Sequence, residues 1–271
     1  MLYRLFISSD IEGTCGIAHW DETELTKPDN SDPFRQQMTR EVSAACEGAL
    51  SAGCEDILIK DAHDSARNLF PDQLPEQASI FRGWGSDIHS MMSGIDGSFT
   101  GAFFTGYHSS SNTDTNPLSH TMNTQNISIT INGIQTSEML INLYAAALYD
   151  VPVLMVTGDV GICEQAKRIS PNIYTVPVSR GRGNGSVSIH PAVAVRRIRE
   201  TAAAAFTEGI KNPDRFRVDL PNKFDVEVSF VQHFKARRAS FYPGVRQTGP
   251  RTVLFSSDAY YDVLRFFMFC L

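Results

Sequence analysis

Phe6-Ile7-Ser8-Ser9-Asp10-Ile11-Glu12-Gly13-Thr14 decides how this chain is read. It is a short apolar strand that stops abruptly at two carboxylates and a glycine. Tyr3 to Ile7 carries β-branched and aromatic residues at strand density, and then the polarity switches. Asp10 and Glu12 stand two residues apart, so on extended backbone both side chains point to one side. Two carboxylates held together repel when both are ionised and need a proton, a cation or solvent. Gly13 lets the backbone turn tightly beside whatever they hold. A plainer reading makes the two acids a helix N-cap and a first-turn acid.

Two further strands finish in the same manner. Asp56-Ile57-Leu58-Ile59-Lys60 reads as buried strand and ends in Asp61-Ala62-His63-Asp64. Gly101-Ala102-Phe103-Phe104-Thr105 is a third, ending in Gly106-Tyr107-His108. The three endings fall roughly fifty residues apart, and strand–helix alternation over this half favours parallel strands. Open parallel α/β sheets bind ligands outside the carboxyl ends of their strands. If these strands are neighbours, Asp10, Glu12, Asp61, His63 and His108 converge on one cleft.

Working outward, Asp21 to Pro33 is polar and reads as a surface loop, with a helix from Pro33 to Ala52 that Gly53 stops. A short strand is expected around Ser79 to Arg82. Ser109 to Asn116 is a polar loop leading to Ser119-His120-Thr121-Met122. Ile127 to Ile131 alternates as a strand before the turn Asn132-Gly133, and Thr136-Ser137-Glu138 opens a helix. Val151 to Val156 is a buried strand, followed by Gly158-Asp159 and a helix to about Arg168. Ile173 to Val178 is the next strand. Arg180 to Ser186 is Gly-rich and basic, and reads as a flexible substrate or interface loop. A long helix follows His190-Pro191, then strands at Phe224 to Phe230 and Thr252 to Phe255. A closing helix is capped by Asp258. The fold class is therefore α/β: a mostly parallel sheet flanked by helices, with a second, smaller α/β or α+β portion. Residues 1–271 are expected to form a single catalytic unit, with any crossover between subdomains near 110–135.

Composition narrows the function. At 42% hydrophobic and 20% charged residues the chain is an ordinary globular protein with a sizeable core. A net charge of −6 and a pI near 5.6 argue against nucleic acid and anionic membrane as partners. No apolar run is long enough to span a bilayer, and no leader pattern precedes the first strand. The five cysteines are odd in number and lack a C-x-x-C pair, which fits reduced thiols in a cytoplasmic protein.

Asp, Glu and His together match the mixed N/O donor set of zinc or another transition metal. Several such donors around a bridging carboxylate would hold two ions. Asp-Ile-Glu-Gly-Thr is also similar to the D-x-D-G-T motif of haloacid-dehalogenase-type magnesium phosphatases, with Asp10 as nucleophile. That reading puts Glu12 where the second Asp belongs and leaves His63, His108 and His120 without a task. A metal-binding scaffold without activity is the third alternative.

Five motifs, in order and spacing, carry a more specific resemblance. Ser9-Asp10-Ile11-Glu12-Gly13, Asp61-Ala62-His63-Asp64, Gly106-Tyr107-His108, Ser119-His120-Thr121-Met122 and Ser137-Glu138 resemble the M55 metallopeptidases, the D-aminopeptidase family. Val151 to Asp159 resembles that family's next strand. The resemblance is strongest from 1 to 160 and fades after about 180. It implies two zinc ions held by Asp10, Glu12, His63, His108 and Glu138, with Asp10 bridging, and His120 as the catalytic histidine. It further implies short peptide substrates, release of N-terminal D-amino acids, and self-association into a ring-shaped homo-oligomer, a decamer. From the chemistry alone His120 serves as base, proton shuttle or oxyanion stabiliser. This chain departs from the family in its polar 108–120 loop and its Gly-rich 180–186 stretch.

Overall fold

A computed structural model describes residues 2–271. The chain begins with β1 (Arg4–Ser9), α1 (Pro28–Ser51), β2 (Asp56–Asp61), β3 (Ala78–Phe81) and β4 (Gly101–Tyr107). The hairpin of β5 (Asn126–Ile131) and β6 (Ile134–Gln135) then leads into α2 (Glu138–Ala147). Next come β7 (Val153–Asp159), α3 (Val160–Ile169), β8 (Tyr174–Arg182), β9 (Gly185–Ser188) and α4 (Pro191–Lys211). The chain closes with β10 (Phe224–Phe230), α5 (His233–Ala239), β11 (Val245–Gln247), β12 (Thr252–Ser257) and α6 (Tyr260–Cys270).

Seven strands form one sheet in the order β3-β2-β1-β4-β7-β8-β9. Every pairing is parallel except β8 with β9 at the edge. β1 lies between β2 and β4, with Ser9 level with Asp61 on one side and Thr105 on the other. The connections diverge around β1, which is where open α/β sheets leave a crevice. Five strands form a second, antiparallel sheet in the order β11-β12-β10-β5-β6.

Strand alternation sends β1 side chains to two cores. Leu5 and Ile7 pack with Val42 and Ala45 of α1 and with Ile198 and Phe206 of α4. Phe6 faces the other side, with Met139 and Leu140 of α2 and with Ile129 and Val226 of the second sheet. α2 is thus clamped between the two sheets, and its first residue reaches the rim where β1, β2 and β4 end.

Three local expectations are corrected. α1 starts at Pro28, which takes the first helical position, so residues 28–33 are helix and not loop. Pro33 lies inside it, close to the start, where a missing N–H removes only one early hydrogen bond. The Gly-rich 180–186 stretch is a hairpin: β8 continues to Arg182 and pairs antiparallel with β9. Gly181 is needed because a Cβ there would meet the Thr115 and Asn116 backbone at 2.7–2.8 Å. Asp258 does not cap α6; Ala259 is the N-cap residue, and its N–H is met by the Ser257 hydroxyl at 3.1 Å. Among the described residues no helix is long and apolar enough to cross a membrane.

Candidate metal centre

The chain leaves β1 at Ser9 and turns; it does not stay extended, and no helix follows directly. Asp10 and Glu12 therefore face the same place because of the turn, not because of strand alternation, and the helix-cap reading falls. The turn is stitched to the end of β4: Asp10 N–H donates to the Thr105 carbonyl at 2.8 Å and Gly13 N–H to the Gly106 carbonyl at 2.8 Å. A Cβ on Gly13 would lie 1.8 Å from the Tyr107 carbonyl oxygen, so only glycine permits this approach.

Around the turn the other strand ends deliver their side chains. His63 Nδ1, just past β2, lies 3.4 Å from Asp10 Oδ1 and 3.0 Å from Glu12 Oε2. His108 Nε2, just past β4, lies 3.4 Å from both Asp10 Oδ2 and Glu138 Oε2. Glu138 is the first residue of α2, whose N-cap Ser137 accepts the Leu140 N–H. His120 Nε2 stands 3.5 Å from Glu138 Oε1 and 3.9 Å from Glu12 Oε1. Its ring stacks on that of His108, with centroids 4.2 Å apart. Three trios have potential ligand atoms within 4.8 Å of one another: Asp10/Glu12/His63, Asp10/His108/Glu138 and Glu12/His108/His120. All six side chains are at least nine-tenths buried or nearly so.

The outer nitrogen of each imidazole faces a backbone carbonyl. His63 Nε2 meets Thr23 O at 3.2 Å, His108 Nδ1 meets Ser109 O at 3.0 Å, and His120 Nδ1 meets Leu118 O at 2.8 Å. A carbonyl only accepts, so that nitrogen carries a proton and the other is turned into the cluster, where its lone pair would be free for a cation. This is the outer support that metal-bound histidines receive.

Electrostatics points the same way. Burial, then the neighbouring Glu12 charge, holds the Asp10 carboxyl well above the usual carboxylate range. Burial also pushes Glu12 and Glu138 upward, but His63 and His108 respectively outweigh it and pull both down. Burial pulls His63 and His108 down, yet Glu12 and Glu138 overcome it and raise both well above normal. His120 is lowered, first by burial and then by the His108 charge. Asp10 Oδ2, Glu12 Oε2 and His108 Nε2 are buried without a hydrogen-bond partner, each costing about 1–3 kcal/mol if left so. Carboxylate and imidazole donors aimed inward with unmatched atoms fit borderline cations such as zinc.

Asp61, grouped with these donors by its position after β2, goes elsewhere. Its Oδ2 accepts the Asn68 and Leu69 N–H groups at 2.6 and 2.9 Å, so it shapes the loop behind His63. Asp159 does similar work from the end of β7. Its carboxylate accepts from Ser109 N–H at 2.7 Å and from the Asn116 amide at 3.2 Å. Asn116 also donates to the Glu12 carbonyl at 3.1 Å and accepts the Leu118 N–H at 2.8 Å. The polar loop is thereby tied down, and with it the Leu118 carbonyl that orients His120.

Sequence reasoning passed over Trp20 and Trp84. Both line the cleft of about 460 Å³ that opens onto Asp10, Glu12, His63, His120 and Glu138. Trp20 meets the His120 ring edge-on at 5.2 Å. The available signal was rarity, since the chain has two tryptophans and both lie here.

A family model described as peptidase M55, D-aminopeptidase, matches residues 3–269. A D-aminopeptidase of Bacillus subtilis (strain 168) is 32% identical over 260 residues, covering 94% of this chain and 91% of that protein. A solved structure, the Zn-dependent D-aminopeptidase DppA from Bacillus subtilis, described as a self-compartmentalizing protease, superposes with a TM-score of 0.88. Identity to it is 28%, over 98% of this chain and 95% of that one.

Proposed function

This chain belongs to the peptidase M55 family of D-aminopeptidases, and from that premise we propose how its buried cluster works. It is a zinc-dependent aminopeptidase, a hydrolase of peptide bonds. Neither a magnesium phosphatase nor an inactive scaffold finds support among its relatives. The finer reading is that Asp10, Glu12 and His63 hold one zinc ion and Asp10, His108 and Glu138 a second, with Asp10 shared. The observation that carries it is the pair of donor trios with Asp10 in common, each containing an imidazole whose other nitrogen is held by a backbone carbonyl.

Zinc, when bound, polarises the scissile carbonyl and lowers the pKa of water toward neutrality. His120 is not needed as a ligand in this scheme and is suited to move protons. Its Nδ1–H is held by Leu118 O, and its lowered pKa keeps Nε2 free to accept. Nε2 takes a proton from the attacking water and returns it to the departing amine. Glu12 and Glu138 within 3.9 Å stabilise the imidazolium formed between those steps. Trp20 packs on the ring edge and limits access of bulk water.

Short peptides and amino-acid amides with a free, D-configured N-terminal residue are the proposed substrates. Like its self-compartmentalizing relative, the chain is proposed to self-assemble, into a ring-shaped decamer readable by sedimentation velocity. Residues 1–271 act as one catalytic unit. The five cysteines are all free, which suits a reducing cytoplasm.

Metal analysis of protein prepared without chelators tests the reading. Two zinc ions per chain are expected, with His108→Ala retaining one or fewer and losing about 10³-fold or more in D-aminoacyl amide cleavage. One ion or none in the wild type, or full activity in His108→Ala, overturns it.

A further inference from the structure

Beside the metal cleft lies a second cavity of about 330 Å³. Trp84, Ser90, Met122 and Asn123 line both, so the two spaces adjoin across this doorway of shared residues. Beyond the doorway the walls are apolar: Ile141 from α2, and Leu264, Phe267 and Met268 from α6. Two of the polar groups at its rim are held by neighbours. Asp87 Oδ1 accepts the His89 N–H at 2.8 Å, and His89 Nε2 pairs with the Tyr149 hydroxyl at 2.6 Å.

The doorway is held rigidly. Met122 N–H donates to Glu138 Oε1 at 2.6 Å, tying it to the metal cluster. Met122 and Ser90 both adopt left-handed backbone, φ 66° and 50°, a conformation that non-glycine residues keep where the surroundings enforce it, often at functional sites. Trp84 is anchored from two sides. Its indole N–H donates to the Asp64 carbonyl at 2.7 Å, and its ring covers Lys60 Nζ at 4.2 Å. That ammonium is buried and donates to the Gly83 carbonyl at 2.9 Å.

We propose that this second cavity receives the side chain of the substrate's N-terminal residue and selects large apolar side chains, leucine-like or larger. The proposal rests on the aminopeptidase reading above. When the scissile carbonyl lies at the cluster, the first side chain projects from the adjacent Cα, and the doorway is the apolar exit from that point. A preformed apolar cavity of this size with few polar groups is typical of a small-ligand subsite.

The test compares kcat/KM for D-leucinamide and D-alaninamide. Wild-type enzyme is expected to prefer the leucine compound by about 10–100-fold. Met268→Trp, at a half-exposed position of α6, fills the cavity and lowers that ratio at least tenfold; Ile141→Phe fills it from the opposite wall and does the same. A wild type that prefers alaninamide overturns the proposal. So does a folded variant with altered assembly but an unchanged ratio. Calorimetric titration with D-leucinol separates this proposal from the reading beneath it. If wild type cleaves neither amide, the aminopeptidase reading fails. Leucinol binding that weakens tenfold in Met268→Trp then still supports the cavity, and equal binding refutes it.

Discussion

Two buried polar clusters share the carboxyl rim of the parallel sheet and are satisfied in opposite ways. Around Asp159 every demand is met: Ile162 N–H and Ser109 N–H donate at 3.0 and 2.7 Å, and Asn116 adds its amide. Around Asp10, three carboxylates and three imidazoles crowd together while Asp10 Oδ2 and His108 Nε2 find no hydrogen bond. Both clusters begin with an aspartate at the end of a buried strand. What separates a structural acid from a chemical one is the count of donors around it, because a buried polar group left unmatched is costly and a cation can offset that cost. Glu41 is an intermediate case. Its Oε1 accepts Cys15 N–H at 3.1 Å and the Gln37 amide at 2.8 Å, whereas Oε2 has no partner.

The sharpest test of this contrast removes the one group in the unmatched cluster that the proposed zinc scheme does not use. His120→Ala should keep its zinc and lose about 10²–10⁴-fold in kcat; loss of metal in this variant would make His120 a ligand instead. Stripping the metal should come next in size. Chelation leaves the carboxylates facing one another, so thermal unfolding at neutral pH should drop by several degrees. That corresponds to about 4 kcal/mol for an ion bound at a thousandfold excess over its Kd. Re-addition of zinc should restore it, and an unchanged Tm would show that the cluster is stable without a cation.

Glu41 tests the intermediate case through pH. Burial raises its carboxyl from 4.5 to about 7, against smaller opposing contributions from the Gln37 and Cys15 hydrogen bonds. The folded state therefore binds the extra proton between those values. The stability is fully present below the unfolded pKa of 4.5 and is lost as pH rises through about 7. Glu41→Gln should flatten that slope relative to wild type and be more stable at pH 8 by about 3 kcal/mol, measured as denaturant midpoints across pH. The smallest effect belongs to the satisfied cluster. Asn116→Ala leaves the zinc donors intact but frees the loop that sets Leu118, so kcat should fall about tenfold with zinc content unchanged.

Much of this was legible beforehand, and the reasons are local. β1, β2 and β4 read as strands because their apolar runs are short, β-branched or aromatic and abruptly terminated, and Ser137 announced α2 by capping it. The convergence of Asp10, His63 and His108 followed once the strands were taken as parallel neighbours. Partner counts were not legible, so Asp61 was grouped with the residues converging on the cleft, whereas Asn68 and Leu69 occupy it. Pro33 misled because proline usually marks a helix start, and Pro28 had already taken that place. The glycines at 181 and 185 disguised a hairpin whose backbone is approached closely by Thr115. Trp20 and Trp84 could not be placed, since a lone aromatic carries no periodicity.

α2 brings Glu138 to the proposed zinc site at its first residue and Ile141 to the second cavity within one turn. A shift of this helix along its axis would disturb turnover and side-chain choice together, so neither can be tuned there separately. α6 has no such double duty. Diversification of substrate preference among enzymes of this architecture is therefore expected to accumulate on Leu264, Phe267 and Met268, leaving the catalytic rim untouched.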